Sequence, residues 1–211
     1  MKREFFFIRH GETDYNRKGI VQGSGVDSTI NEKGQRQARA FYNHYKNHSF
    51  DHIICSGLRR TYETVLPFIE GQSISYERTS LINEISWGIH EGKKGTDEMI
   101  HSYRKMVEQW AKGNFDASLP EAESARQLSD RLGRFLDYLA NLPFKRILIC
   151  THGRSLRCLL CLMKNQHLRE MESYRHHNTG LFLAEYENPE YRLILENDTS
   201  HLDEAKANGL L

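Results

Sequence analysis

Proline and cysteine are both scarce, at four residues each in 211. So few prolines, none of them adjacent (Pro67, Pro120, Pro143, Pro189), exclude a proline-rich linker or recognition tract. So few cysteines in a chain this long exclude a disulfide-stapled scaffold. Cys158 and Cys161 have zinc-like spacing, but Leu159 and Leu160 lie between them in what reads as an apolar helix, and no second ligand pair is visible. With Cys55 and Cys150 they are expected to be buried free thiols. Long hydrophobic runs are also missing. No stretch approaches the roughly 18 apolar residues of a membrane span. The run Phe5 to Ile8, behind a basic Met1-Lys2-Arg3, is cut by Arg9 too early for an export signal. A cytoplasmic protein with no membrane partner is expected. Charge of one sign is absent too: a formal net charge of +1 gives no global attraction to nucleic acid, so any cationic site must be local. The 38% hydrophobic and 27% charged residues that are present describe an ordinary globular domain able to bury a core.

Strand and helix patterns alternate along the chain. Phe5 to Ile8 reads as a buried strand. Residues 12 to 31 are polar and glycine-rich and read as a long connection, a length that inside a compact domain is usually functional. A helix is expected from Glu32 to about Asn47, a strand at His52 to Cys55, and a helix from about Leu58 to Ile69 with Ser56 as its N-cap. A strand near Ile74 to Glu77 precedes an irregular stretch from Leu81 to Gly92. Helices are then expected at about Thr96 to Ala111 and Glu121 to Asn141, a strand at Arg146 to Cys150, and a helix through about Met163. Two closing strands follow, Leu181 to Glu185 and Tyr191 to Leu195. This order predicts an α/β layer fold with a mostly parallel sheet. In such sheets ligands bind beyond the carboxyl ends of the strands. Arg9-His10-Gly11, Ser56 to Arg60 and His152-Gly153 each stand just there.

Those residue types suit phosphoryl transfer. The planar guanidinium forks of Arg9 and Arg60 match phosphate oxygens. A neutral His10 imidazole can attack phosphorus, and nearby arginines favour the neutral form. His152 can stabilise the equatorial oxygens, and a carboxyl group such as Glu84 can protonate the leaving alcohol and later activate water, with Glu12 next in line. Taken singly each has an ordinary explanation, as a loop histidine, a solvated basic helix face or a surface carboxylate. Their repeated placement after apolar strands weighs against coincidence.

In order along the chain, these motifs resemble the histidine phosphatase superfamily, in its phosphoglycerate mutase-like branch. Arg9-His10-Gly11-Glu12-Thr13 is similar to the family's leading motif, with Asn16 on its usual asparagine. Gln22-Gly23 and Asp27 resemble the loop beyond. Ser56-Gly57-Leu58-Arg59-Arg60-Thr61-Tyr62-Glu63-Thr64 resembles the second motif, Leu81 to Gly92 the acid-donor segment with Glu84 on its carboxylate, and Thr151-His152-Gly153 the second-histidine motif. The resemblance implies a three-layer α/β sandwich with a mostly parallel mixed sheet, forming one domain over 1–211 with a helical cap or insertion at about 93–143. It further implies catalytic roles for His10, Arg9, Arg60, His152 and Glu84, substrate contacts from Asn16, Gln22, Gly23 and Gly153, and neither metal nor cofactor.

Departures from the pattern fall at Asp27 to Asn31, at Ile89-His90, at Ala122 and at Arg154; none removes a catalytic group, and the second and last are expected to reshape the substrate end of the pocket. Mutases of this family share a longer insertion with an arginine-rich segment and consecutive prolines. Here no prolines are adjacent and the interval from Glu84 to His152 is short, so hydrolysis of a small phosphorylated metabolite is expected rather than mutation. A non-catalytic phospho-ligand module would have little need of both His10 and Glu84. Lys93, Lys94, Tyr103, Arg104, Lys105 and Trp110 are candidates for substrate contact from the cap, or for a solvated helix face. The sequence is silent on oligomeric state.

Overall fold

In the computed structural model, which describes residues 2–211, β1 (Arg3–Arg9) runs through the middle of a six-stranded sheet. The order is β3 (Tyr76–Thr79), β2 (His52–Ser56), β4 (Arg146–Thr151), β1, β5 (Leu181–Glu187), β6 (Glu190–Asp198). The four strands from β3 to β1 are parallel, and β5 and β6 are antiparallel additions. The expected mixed, mostly parallel sheet is therefore present.

The central strands bury both faces, so their apolar runs divide by parity. Phe5 and Phe7 of β1, with Ile147 and Ile149 of β4, enter one core with Leu128, Leu132, Phe135 and Leu139 of α5 (Ala125–Asn141) and Leu156, Leu159 and Leu160 of α6 (Gly153–Met163). Phe6 and Ile8, with Leu148 and Cys150, enter the opposite core. There they meet Phe41 and Tyr45 of α2 (Glu32–Tyr45) and Val65 and Phe68 of α3 (Arg59–Gln72). A helical layer on each side of the sheet completes the three-layer sandwich. The four cysteines are buried and unpaired, and burial pushes the Cys55 and Cys161 thiols up to about 12.

The expected cap stretch divides in two. α5 is part of the sandwich, whereas α4 (Asp97–Ala111) lies at the edge of the same core with only Met106 and Trp110 buried.

Four local expectations are corrected. The connection at 12–31 contains a short helix, α1 (Asp14–Lys18), closed by a capping box between Thr13 and Asn16. α5 begins at Ala125 rather than Glu121, because Ser124 and Gln127 form a capping box and Glu121 is in left-handed backbone. Ser56 does not cap α3 in the expected way. Asp27 Oδ1 accepts the Arg59 N–H (2.6 Å), and Ser56 turns toward His152. A last helix, α7 (Ser200–Ala207), was not anticipated. It covers α2, with His201 edge-on to Phe41 at 5.1 Å.

The loop after β1 is held against the start of α2 by close backbone approach. A Cβ on Gly34 would lie 2.2 Å from the Glu12 carbonyl oxygen, and one on Gly11 would lie 2.8 Å from the Gly34 oxygen. Gly34→Ala is expected to cost about 1–3 kcal/mol as backbone is forced apart. That corresponds to a fall in Tm of roughly 2–12 °C for a chain this size. A thermal melt within a degree of the parent's would show that the loop yields freely.

Candidate active site

The three sequence segments converge because β2, β4 and β1 are adjacent and parallel, so their carboxyl ends open side by side. His10 follows β1, and its ring centroid lies 5.2 Å from that of His152, which follows β4. Both are buried. His10 Nδ1 is 2.7 Å from the Gly11 carbonyl oxygen. A carbonyl only accepts, so the proton sits on Nδ1 and the lone pair of a neutral imidazole is left on Nε2. Burial, then the charges of Arg60 and Arg9, hold His10 well below the usual imidazole range.

Arg60, on the first turn of α3, is fully buried and radiates donors. Its Nε donates to His152 Nδ1 (3.1 Å), one terminal nitrogen to the Val26 carbonyl (2.6 Å) and the other to the Gly23 carbonyl (3.2 Å). Three of its five N–H groups are thus used and two are spare. Burial lowers it to about 10, which leaves it charged at neutral pH. Since His152 Nδ1 accepts, its proton lies on Nε2, 2.7 Å from Ser56 Oγ. His152 therefore spends both ring nitrogens on protein. Burial, then Arg60, keeps it neutral.

The Arg9 side chain makes one bond among the described residues, from a terminal nitrogen to His176 Nδ1 at 3.3 Å. Among the described residues its buried Nε has no partner. A half-buried guanidinium with most donors unused among the described residues, beside a second with two spare, is suited to holding an oxyanion.

Glu84 is 8% exposed and sits across from the start of α6. Its Oε1 accepts from the N–H groups of Ile85 (3.0 Å) and Ser155 (3.1 Å), and its Oε2 from Arg154 N–H (3.1 Å). A carboxylate offers about four lone-pair positions, so Oε2 retains one. The segment before it is fixed by Arg131, which donates to the carbonyls of Leu81 (2.8 Å) and Asn83 (3.0 Å) while paired to Glu123 (2.8 Å).

The other sequence candidates are distributed around this centre. Asn16 Oδ1 accepts from Thr13 N–H in the α1 capping box, which leaves its amide N–H groups without a bond among the described residues. Gln22 Oε1 accepts from the hydroxyls of Thr13 (3.0 Å) and Ser28 (2.6 Å). Gly23 contributes its carbonyl to Arg60. Gly153 makes room for a neighbour: a Cβ there would lie 2.9 Å from the His176 ring. Glu12 faces away, accepting from Lys33 (2.7 Å) and Asn31 (3.1 Å). Of the cap candidates, Trp110 is corrected outright. It is 2% exposed in the core and donates its indole N–H to the Ala117 carbonyl (2.8 Å). Arg104 and Lys105 lie on the solvent face of α4, and Lys93 is exposed. Tyr103 and Lys94 line a cavity beside the site.

Several residues at the centre have no role assigned from the sequence, although Thr64 lies within the second motif. Thr64 Oγ1 accepts Gly11 N–H (2.9 Å), and Asn178 donates to the His10 carbonyl (2.8 Å). His176 is held at about 3 by burial and then by Arg9, Arg157 and Arg154. The histidine-asparagine pair at 176–178 was detectable only as polar residues ahead of a strand.

The buried histidines have a thermodynamic consequence. His10, His152 and His176 all bind protons less readily in the fold than in the unfolded chain. Their contribution to stability is complete above the unfolded value near 6.5. It is lost as pH falls from there toward the folded values, about 3 for His176. Each such group costs about 1.4 kcal/mol per pH unit inside its window. The urea midpoint is expected to fall steeply between pH 7 and pH 5, and equal midpoints at the two would contradict this electrostatic picture.

The family model for the histidine phosphatase superfamily (branch 1) matches residues 5–199. A Hydrogenobacter thermophilus protein named "Putative phosphoserine phosphatase 2" is 27% identical over 95% of this chain and 98% of its own. A Yersinia pestis protein named "Probable phosphoglycerate mutase GpmB" is 30% identical over 95% of each. The alpha-ribazole phosphatase structure from Shigella flexneri superposes with a TM-score of 0.82 at 21% identity, covering 92% of this chain and 96% of that one. The chain belongs to the histidine phosphatase superfamily and is an enzyme of the phosphatase class.

Proposed function

We propose that this enzyme hydrolyses a small phosphorylated metabolite without a metal, through a phosphohistidine on His10. The observation that carries the reading is the tautomer imposed on His10. The Gly11 carbonyl fixes the proton on Nδ1, and burial, then the charges of Arg60 and Arg9, keeps Nε2 unprotonated and nucleophilic.

The phosphoryl oxygens would take the unused donors of Arg9 and Arg60. His152 Nε2–H would exchange Ser56 Oγ for an equatorial oxygen, a charged acceptor that makes the stronger bond. Asn16 and the segment Gln22-Gly23 close the same rim. His10 Nε2 then forms the P–N bond as the P–O bond to the alcohol breaks, and Glu84 gives its proton to the departing oxygen. In the second half Glu84 takes a proton from water, whose oxygen attacks phosphorus and breaks the P–N bond. Inorganic phosphate leaves and His10 and Glu84 are restored. α4, tied to the loop after α1 by the Ile20 to Lys94 bridge, would serve as the cap. The unpaired buried thiols agree with a reducing compartment, and we place the enzyme in the cytoplasm.

The mutase name of one relative supports a second reading, in which the phosphoenzyme passes its group to another alcohol instead of water. Incubation with phosphomonoesters under EDTA separates the two. Released phosphate together with an acid-labile mass adduct on His10 supports hydrolysis. Efficient phosphoglycerate interconversion in a coupled assay would overturn it, and undiminished rates with no adduct would overturn the phosphohistidine.

A further inference from the structure

A cavity of about 560 Å³ opens beside the phosphate cradle. Its lining is largely apolar, with Val21, Trp87, Met99, Ile100, Tyr103 and Leu119, and adds Gln22, the half-buried His90 and the exposed Lys18 and Lys94. Gln22 joins the two spaces. Its side chain is bonded to Thr13, and the next carbonyl, that of Gly23, accepts from Arg60. Trp87 lies three residues beyond Glu84. An alcohol protonated by Glu84 would therefore have its carbon skeleton directed at this cavity.

The lining is built rather than incidental. Val21 N–H donates to the Lys93 carbonyl (3.0 Å) and Gly92 N–H to the Val21 carbonyl (2.9 Å), so the loop after α1 and the lead-in to α4 form one wall. Trp87 and Tyr103 meet edge to face at 5.5 Å. Arg154, nearly fully buried, braces both from behind, with its guanidinium 5.9 Å from the Trp87 ring and 6.0 Å from that of Tyr103. The same guanidinium bonds the Tyr103 hydroxyl and Glu172. This is the arginine that stands where the family pattern has a small residue. Its charge is already answered, so it is not free to grip a carboxylate on the substrate. The other basic groups in the lining are Lys18 and Lys94, exposed where a pairing is worth little, and the half-buried His90. Ile100, by contrast, leaves its apolar side chain 41% in water at the opening, a surface that gains from being covered.

We infer that the cavity receives the leaving alcohol, and that the preferred substrates are phosphomonoesters of ring-bearing apolar alcohols, not of small hydroxy acids. This inference rests on the phosphatase reading, and it separates the chain from relatives named for phosphoserine and phosphoglycerate. The volume lies within the range of sites that enclose a ring system, and a three-carbon acid would leave most of it empty.

Two primary alkyl esters of equal leaving-group quality test it: 2-(1-naphthyl)ethyl phosphate and ethyl phosphate, with O-phosphoserine and 3-phosphoglycerate alongside. The expected kcat/KM for the naphthyl ester is roughly tenfold or more above that of ethyl phosphate, from apolar burial alone. Both acids should fall below the naphthyl ester. In Met99→Asp the ratio between the two esters should collapse toward one. An acid at that position suits the first turn of α4, whose Thr96 cap already accepts the Met99 N–H, so the helix should survive. The corresponding phosphonates, 2-(1-naphthyl)ethylphosphonate and ethylphosphonate, are titrated calorimetrically into both proteins as a readout that needs no turnover. A ratio near one, a ratio retained in Met99→Asp, or a preference for either acid overturns the inference while leaving phosphatase activity standing. If no ester is hydrolysed, the phosphatase reading fails, and the phosphonate ratio still decides the cavity.

Discussion

His10→Ala is expected to lose phosphate release almost entirely, with kcat down by roughly four to six orders of magnitude, as when the nucleophile is removed from other covalent enzymes. The reason is specific to the geometry. Among the described residues no other ring in the cradle has an unprotonated nitrogen left unbonded: His152 Nδ1 accepts from Arg60 while its Nε2–H faces Ser56, and His176 Nδ1 accepts from Arg9. Water attacking directly would keep Arg9 and Arg60 but lack the stepwise route. The fold should tolerate the change. The imidazole makes one local bond, to the Gly11 carbonyl, and the loop keeps its ties through Thr64 and Asn178.

A second signature follows from the sign of the His10 shift. Because the folded imidazole resists protonation, its removal deletes one source of acid instability. The variant should therefore lose less stability than the parent between pH 7 and pH 5. Single-turnover phosphate release and urea melts at both pH values check the two halves. Residual turnover within a hundredfold of the parent would move the nucleophile elsewhere.

The site's backbone was legible in the sequence because each cradle residue lies within a few positions of an apolar strand. Arg9-His10 ends β1, Arg60 lies four residues beyond the end of β2, and His152 follows β4 at once. Adjacent parallel strands leave their ends no choice but to meet. His176 and Asn178 had no such address. They belong to a polar loop whose position depends on long-range bonds, Thr179 N–H to the Arg9 carbonyl and Asn178 to the His10 carbonyl. Spacing along a chain carries no trace of bonds of that kind.

Trp110 is a different sort of error. Met99, Tyr103, Met106 and Trp110 recur at helical spacing, and read as a stripe they point inward together. Grouping Trp110 with its polar neighbours Arg104 and Lys105 obscured that period. α1 was missed although Thr13 and Asn16 have cap spacing, because five residues are too few for an apolar face to show. Ser56 has the sequence position of a cap, because a hydroxyl ahead of a helix is usually that. Here the cap is supplied by Asp27, 32 residues away from Arg59 in the chain, which frees Ser56 to orient His152.

Glu84→Gln should divide substrates by the quality of their leaving group. For an alkyl phosphate the departing alkoxide needs a proton, and loss of the donor is expected to cost about 10²–10⁴-fold in kcat/KM. For p-nitrophenyl phosphate the phenolate departs unaided, and the loss should stay within roughly tenfold on the first step. Glutamine also brings a structural conflict that the comparison must control. Oε1 and Oε2 both accept backbone N–H groups at the start of α6, so the amide NH2 would face a donor wherever it is placed. A modest fall in Tm is expected for that reason, and it would be the same whichever substrate is used. Differential slowing at a common stability is therefore the diagnostic result. Burst kinetics add a further check. On the proposed mechanism the same carboxylate activates water in the second half, so the variant should accumulate phosphohistidine with p-nitrophenyl phosphate, with a burst of phenolate ahead of slow phosphate release. Equal slowing of both substrates without a burst would place the proton elsewhere. Glu12, bonded to Lys33 and Asn31 and turned from the cradle, would then have to be brought in by movement of its loop.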